Sequence, residues 1–265
     1  MGGIVTRFDF RWLAVLALGL CLAVGFAAVA SPPSLSGRWV MLQVYPRIAL
    51  VPMVGASTQT SYVVLQIDVG QEDLSLEMSG SYCFTVIEET SPLATTEIPD
   101  AFMKSIRPAP DTARLQEQDG QFIFQQGTHL EIRGAVLGDP ETDDLPTESE
   151  DPRVFDQDQD GFPGMTVNIN LLGSMKEQIY VVQRFQYELE GVVVSPDRIE
   201  GLIHWTDEQV TLAATNPMLL ASSASEPDPD PSKHIFIMLR AQEDWTCDWL
   251  REHWRDVFEL KEDGG

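Results

Sequence analysis

The sequence predicts an all-β fold, an antiparallel meander of about eight or nine strands closing into a barrel or sandwich, with a C-terminal α-helix packed outside. Three observations carry that reading. Apolar and polar residues alternate with period two through most of the chain, the mark of strands with one buried face. Turn-forming clusters separate the alternating stretches at short intervals, which favours antiparallel neighbours over parallel crossovers. Helical periodicity is confined to one short segment and one segment near the end.

The first element stands outside the fold. Arg7 and Arg11 flank the start of an uncharged apolar run from Trp12 to Ala30, and Ala28-Val29-Ala30 before Ser31 places small residues where a signal peptidase reads. Residues 1–30 are therefore expected to be a signal peptide cleaved after Ala30. The run is close to the roughly 20 residues that cross a bilayer, so an uncleaved anchor is the alternative. Lipid attachment at Cys21 is disfavoured, because Leu20 stands where a lipobox carries Gly or Ala. Residues 31–265 then form a single domain, secreted or periplasmic, with no second run of membrane-spanning length.

The strands follow in order. One opens around Trp39. Val63, Leu65, Ile67 and Val69 alternate with Val64, Gln66 and Asp68; Leu74, Leu76, Met78, Tyr82, Phe84 and Val86 then share one face of a long strand that Gly80 bends. A strand near Phe122 precedes one in which Leu130, Ile132 and Val136 oppose Glu131, Arg133 and Ala135. Met165, Val167, Ile169 and Leu171 form the next, and Ile179, Val181, Phe185, Tyr187 and Leu189 oppose Arg184, Gln186, Glu188 and Glu190. Ile199, Ile203 and Trp205, with Val210 and Leu212 beyond, extend the pattern, and a last strand runs near His234 to Arg240. The joins are turn-like at Gly70-Gln71-Glu72-Asp73, Asp119-Gly120, Ser195-Pro196-Asp197 and Thr206-Asp207-Glu208.

A short helix is expected around Asp100 to Ile106, before Pro108. The C-terminal helix is expected over 244–260, N-capped by Asp244, with Trp245, Trp249, Leu250, Trp254, Val257 and Phe258 as an apolar stripe for packing against the sheet. Two segments read as irregular. Within the acidic loop 139–164, residues Asp139 to Asp160 hold ten carboxylates, and 222–232, SSASEPDPDPS, reads as a Pro/Asp-rich linker.

Seventeen Lys and Arg stand against 41 Asp and Glu, a formal charge of −24 that becomes −25 without Arg7, Asp9 and Arg11. A surface so acidic repels nucleic acid and anionic lipid. Beyond residue 30 only Cys83 and Cys247 remain, and an oxidising compartment makes one disulfide between them the expectation. Separately buried thiols, or pairing between molecules, are the alternatives.

The sharpest local signal is Asp156-Gln157-Asp158-Gln159-Asp160-Gly161. Alternate carboxylates on a tight turn can point at one centre, and the glycine supplies the sharp bend after the third. This resembles the start of an EF-hand calcium loop, whose next ligand is a backbone carbonyl, here that of Phe162. The likeness ends there, since the position of the bidentate Glu is Val167 and the flanks read as strand. It is closer to the shortened D-x-D-x-D-G loops of secreted bacterial proteins, and implies Ca²⁺ held by Asp156, Asp158, Asp160 and the Phe162 carbonyl, with a further carboxylate from Asp151 or from 139–150. A solvated acidic loop is the bland alternative.

A second resemblance is architectural. Gly37-Arg38-Trp39 opens the first strand and a helix follows the last, an arrangement similar to the lipocalins. That likeness implies an eight-stranded barrel with an external helix, a floor sealed by Trp39 and an arginine, here Arg240, a disulfide such as Cys83 to Cys247, and a small apolar ligand inside. On the alternation alone, Cys83 faces away from Leu76, Met78, Tyr82 and Phe84, toward the helix.

No enzyme motif stands out. His129, His204, His234 and His253 show no zinc spacing, and there is no nucleophile elbow, phosphate loop or dinucleotide fingerprint. The expectation is an exported non-enzymatic protein with a structural calcium loop and an apolar ligand in a barrel. An envelope or extracellular interaction module that contacts an envelope protein, or an enzyme assembled from distant residues, are the rivals.

Overall fold

The computed structural model describes residues 31–51, 55–91, 93–220 and 225–260; the signal peptide expected over 1–30 lies outside them. Eleven strands carry the described chain: β1 (Gly37–Val51), β2 (Gly55–Glu72), β3 (Ser75–Glu89), β4 (Ala94–Glu97), β5 (Asp111–Gln118), β6 (Gln121–Arg133), β7 (Met165–Leu171), β8 (Met175–Ser195), β9 (Arg198–Ala214), β10 (Ser225–Pro227) and β11 (Ile235–Arg240). Two α-helices are added, α1 (Asp100–Ser105) and α2 (Cys247–Val257). None is long and apolar enough to cross a membrane.

Eight strands pair in the order β1-β2-β3-β5-β6-β8-β9-β11, every pair antiparallel, and β11 pairs back onto β1, so the sheet forms a barrel-like ring. Beyond the ring, β7 pairs with the first part of β8 and β4 with β7, while β10 adds to β1. The turns explain the meander. Gln118 pairs with Gln121 across Asp119-Gly120, whose φ angles of 52° and 80° are the left-handed values that an Asp-Gly hairpin turn needs. Glu72 pairs with Ser75, and Ser195 with Arg198, across equally short turns. The fourth expected turn is not one. Thr206, Asp207 and Glu208 continue β9, paired with Gln186, Phe185 and Arg184 of β8.

Inside the ring the end nearest Trp39 is solid. Trp39, Ile67, Leu76, Met78, Leu115, Phe124, Leu189, Ile199 and Met238 fill it. Trp39 is fully buried, its Nε1–H donates to the Leu35 carbonyl at 2.8 Å, and the Arg240 guanidinium lies 4.7 Å above its ring. Arg240 in turn donates to the Ser34 and Ser36 carbonyls and to Asp197.

Outside the ring α2 covers β1, β2, β3 and β11, with Leu250, Trp254 and Phe258 buried and Trp245 and Trp249 partly buried against the same cluster. The Cys83–Cys247 disulfide ties this helix to β3. Cys83 faces outward as the alternation indicates, but Phe84 joins it. A register shift opposite Val64 and Leu65 turns the strand so that Tyr82 points in while Phe84 packs under the helix. Leu74 sits in the β2–β3 turn and is exposed. The helix is shorter than 244–260: Thr246, not Asp244, caps it, accepting from Trp249 N at 3.2 Å. Within the 222–232 segment, Ser225–Pro227 pairs with β1, and Asp230 caps the turn at Pro231–Lys233. On another outer face, Ala135 and Leu137, which follow β6, and Leu145 of the acidic loop cover Val182 and Leu212.

Candidate functional site

The acidic loop is fixed where it leaves and rejoins the sheet. Gly134 and Gly164, with φ of 76° and 80°, lie so close to the Val181 carbonyl that a Cβ at either would fall within 2.8 Å or 2.3 Å of its oxygen. The Gln157 side chain accepts from Gly134 N at 2.7 Å, and Gln157 N donates to the Gly164 carbonyl. Between these anchors Asp156, Asp158 and Asp160 each bring a carboxylate oxygen within 4.8 Å of the other two. Asp156 accepts from the backbone of Asp160 and Gly161, and Asp160 from that of Phe162. Asp158 Oδ2 accepts from Thr166 N at 2.9 Å, while its Oδ1 is buried without a partner among the described residues. Burial raises the Asp158 pKa, with the charges of Asp160 and Asp156 adding to it against the Thr166 hydrogen bond. The Phe162 ring stacks on Tyr180 at 4.4 Å. Asp151, considered as a further ligand, is gripped by Arg153, whose hydrogen bonds lower its pKa to about 2.

The ring interior holds a second constellation, which the alternation misplaces. In β6 the apolar Leu130 and Ile132 face out, and Val136 beyond it is exposed, while His129, Glu131 and Arg133 face in. A register shift between Gln126 and His129 changes which residues point inward. Outside, Ile132 is sheltered by the acidic loop. His129 Nδ1 lies 2.8 Å from Asp111 and its Nε2 3.0 Å from Glu131. Glu131 accepts also from Tyr82 at 2.9 Å and from Arg133 at 2.9 and 2.6 Å. Burial opposes the imidazolium, but the hydrogen bonds to Asp111 and Glu131 outweigh it and raise the His129 pKa to about 9. Glu131 is driven the other way, to about 2, because Arg133 and His129 overcome its desolvation. Tyr45, Tyr82 and Tyr187 are raised, first by burial.

Above this polar layer, at the end away from Trp39, a cavity of about 170 Å³ opens. Its wall is mixed. Polar groups in it include Gln43, Tyr45, Arg47, Arg133, Gln183 and Asp207, and apolar ones include Ile98, the α1 residues Phe102 and Met103, and Val167, Ile169 and Ile179 from β7 and β8. Arg47 Nη1 donates to Asp207 Oδ2 at 3.1 Å, its guanidinium lying 5.1 Å from the Trp205 ring centre. Trp205 Nε1 donates to His234 Nδ1 at 2.8 Å, and His234 Nε2 to the Asp228 carbonyl. Arg133 lies 4.7 Å over Phe185.

The sequence pointed to the three aspartates, which the fold brings together, and not to Arg47, His129, Glu131, Arg133 or Asp207. A signal was available: His129-x-Glu131-x-Arg133, Gln43-x-Tyr45-x-Arg47 and Asp207-x-Gln209 each place polar residues on one strand face at period two. Comparison of the chain with family models, with curated proteins and with solved structures finds no match.

Proposed function

We propose that this chain is an exported binding protein, built on a lipocalin-like plan, that takes a small molecule into the open end of its barrel and uses one calcium ion to order its outer acidic loop. The observation that carries the ligand reading is a ring whose Trp39 end is solid and whose other end holds a cavity of about 170 Å³. Concave, partly apolar sites with a few convergent polar groups are where small ligands bind. A cavity of about 150 Å³ accommodates a benzene-sized guest, which sets the scale of the molecule. The lipocalin comparison is supported by the buried Trp39 beneath Arg240 and by the helix tied over the outer face. Export is supported by the charged and apolar pattern of residues 1–30 and by the disulfide.

The residues of the acidic loop fit a hard cation: three carboxylates converge, and the buried Asp158 Oδ1 lacks a partner that a cation would supply. Calcium would be held by Asp156, Asp158, Asp160 and the Phe162 carbonyl, and its work is structural. Xenon uptake followed by NMR tests the ligand reading without assuming any head group. Saturable uptake that perturbs Phe102 and Met103 supports it, and exclusion of xenon removes it. Calorimetric calcium titration beside an Asp158→Ala/Asp160→Ala variant tests the loop. Binding in the weak extracellular range of about 10⁻⁴–10⁻³ M, lost in the variant, is expected.

A further inference from the structure

Resting on the binding reading above, the cavity wall says what kind of molecule enters. Its charged groups are matched within the ring: Arg47 faces Asp207, Arg133 faces Glu131, and His129 lies between Asp111 and Glu131. An ionic guest would enter a poorly hydrated space with no charge left over to balance its own, at a desolvation cost nothing repays. Two buried atoms of the wall are nonetheless unanswered. Arg47 Nε is a donor and Asp207 Oδ1 an acceptor, and neither has a partner among the described residues. A hydroxyl or a primary carboxamide both accepts and donates while staying neutral, which suits polar lining whose charges are already matched. The apolar lining residues Ile98, Phe102, Met103, Val167 and Ile169 give such a molecule a place for its body. A plain hydrocarbon would set its surface against polar lining such as Gln43, Gln183 and the Arg47–Asp207 pair, and is disfavoured.

We propose that the cavity binds a small neutral amphiphile, an alcohol or primary amide with a body of about benzene size, whose head group lies among the polar lining residues by the Arg47–Asp207 pair and whose body lies against Phe102 and Met103.

The test is calorimetric titration of the purified protein with 1-hexanol, hexanamide, hexanoate and hexylammonium, in parallel with xenon. The expected result is that hexanol or hexanamide binds at least tenfold more tightly than either ion. In Asp207→Asn, which leaves the Arg47 charge unmatched, hexanoate is expected to gain at least tenfold relative to hexanol. Equal or tighter binding of hexanoate or hexylammonium by the unaltered protein overturns the inference, and that comparison does not depend on the variant folding. Uptake of xenon without discrimination among the four compounds defeats the head-group assignment and leaves the binding reading standing. Exclusion of xenon together with all four defeats both.

Discussion

The two ends of the barrel are made of the same eight strands and use them differently. Toward Trp39 the inward positions are apolar and buried, as in an ordinary core. Toward Asp207 the inward positions of those strands turn polar, the interior is held by a network around Glu131, and a cavity remains. One end is therefore stabilised by transfer of apolar surface from water, while the other depends on completing hydrogen bonds and matching charges. The apolar core and the cavity are separated along the barrel axis.

The difference can be tested from both ends. Trp39→Ala removes a buried indole from the solid end and is expected to destabilise the protein by about 4 kcal/mol, measured by denaturant unfolding. Glu131→Gln leaves His129 and Arg133 without their shared counter-charge and is expected to cost about 3 kcal/mol. Unlike the tryptophan variant, it should also flatten the pH dependence.

That dependence follows from the signs. The folded-state pKa of His129 is raised from 6.5 to about 9, so its contribution is complete below pH 6.5 and lost as pH rises through 9. The pKa of Glu131 is lowered from 4.5 to about 2, so its contribution is complete above pH 4.5 and lost as pH falls through 2. As far as these two groups decide it, stability is greatest between about pH 4.5 and 6.5 and falls by about 2 kcal/mol toward pH 9. Thermal unfolding across pH checks this, and a profile unchanged by Glu131→Gln would remove the network from the account. The smallest effect is a matched pair. Ile199→Val at the solid end is expected to cost about 1.5 kcal/mol and Ile179→Val beside the cavity about 0.5 kcal/mol, because the second enlarges a void that already exists. Equal costs would mean that the two ends pack alike.

The same contrast decided what was legible in the sequence. Val63, Leu65, Ile67 and Val69 and the strand from Ile179 to Leu189 read correctly, because an apolar interior writes itself as alternation. The segment from His129 to Arg133 read inside out. Its interior is polar, its outer apolar residues are sheltered by the acidic loop, and a register shift at Gln126 breaks the count. Thr206-Asp207-Glu208 read as a turn for the same reason, although β9 runs straight through it with the Asp207 side chain only 6% exposed. The helix start moved to Thr246 because either hydroxyl or carboxylate can cap, and pattern alone does not choose between sites two residues apart. The three aspartates were legible because their chemistry is local, set by spacing and one glycine. The unpaired Oδ1 of Asp158 was not, since it depends on the surrounding fold.

The ring order has a consequence for how this chain comes into being. The last strand does not extend the meander at its end; β11 is wedged between β1 and β9. A polypeptide emerging from its N-terminus must therefore wait, with the flanks of its first and penultimate ring strands bare, until nearly the whole chain has arrived. Such bare flanks invite pairing with other molecules. Chains stopped just before Ile235 are expected to associate in solution where the complete chain does not, as light scattering would register. On this topology β11 acts as a keystone, closing the ring beside Trp39–Val44, at the apolar end of the barrel.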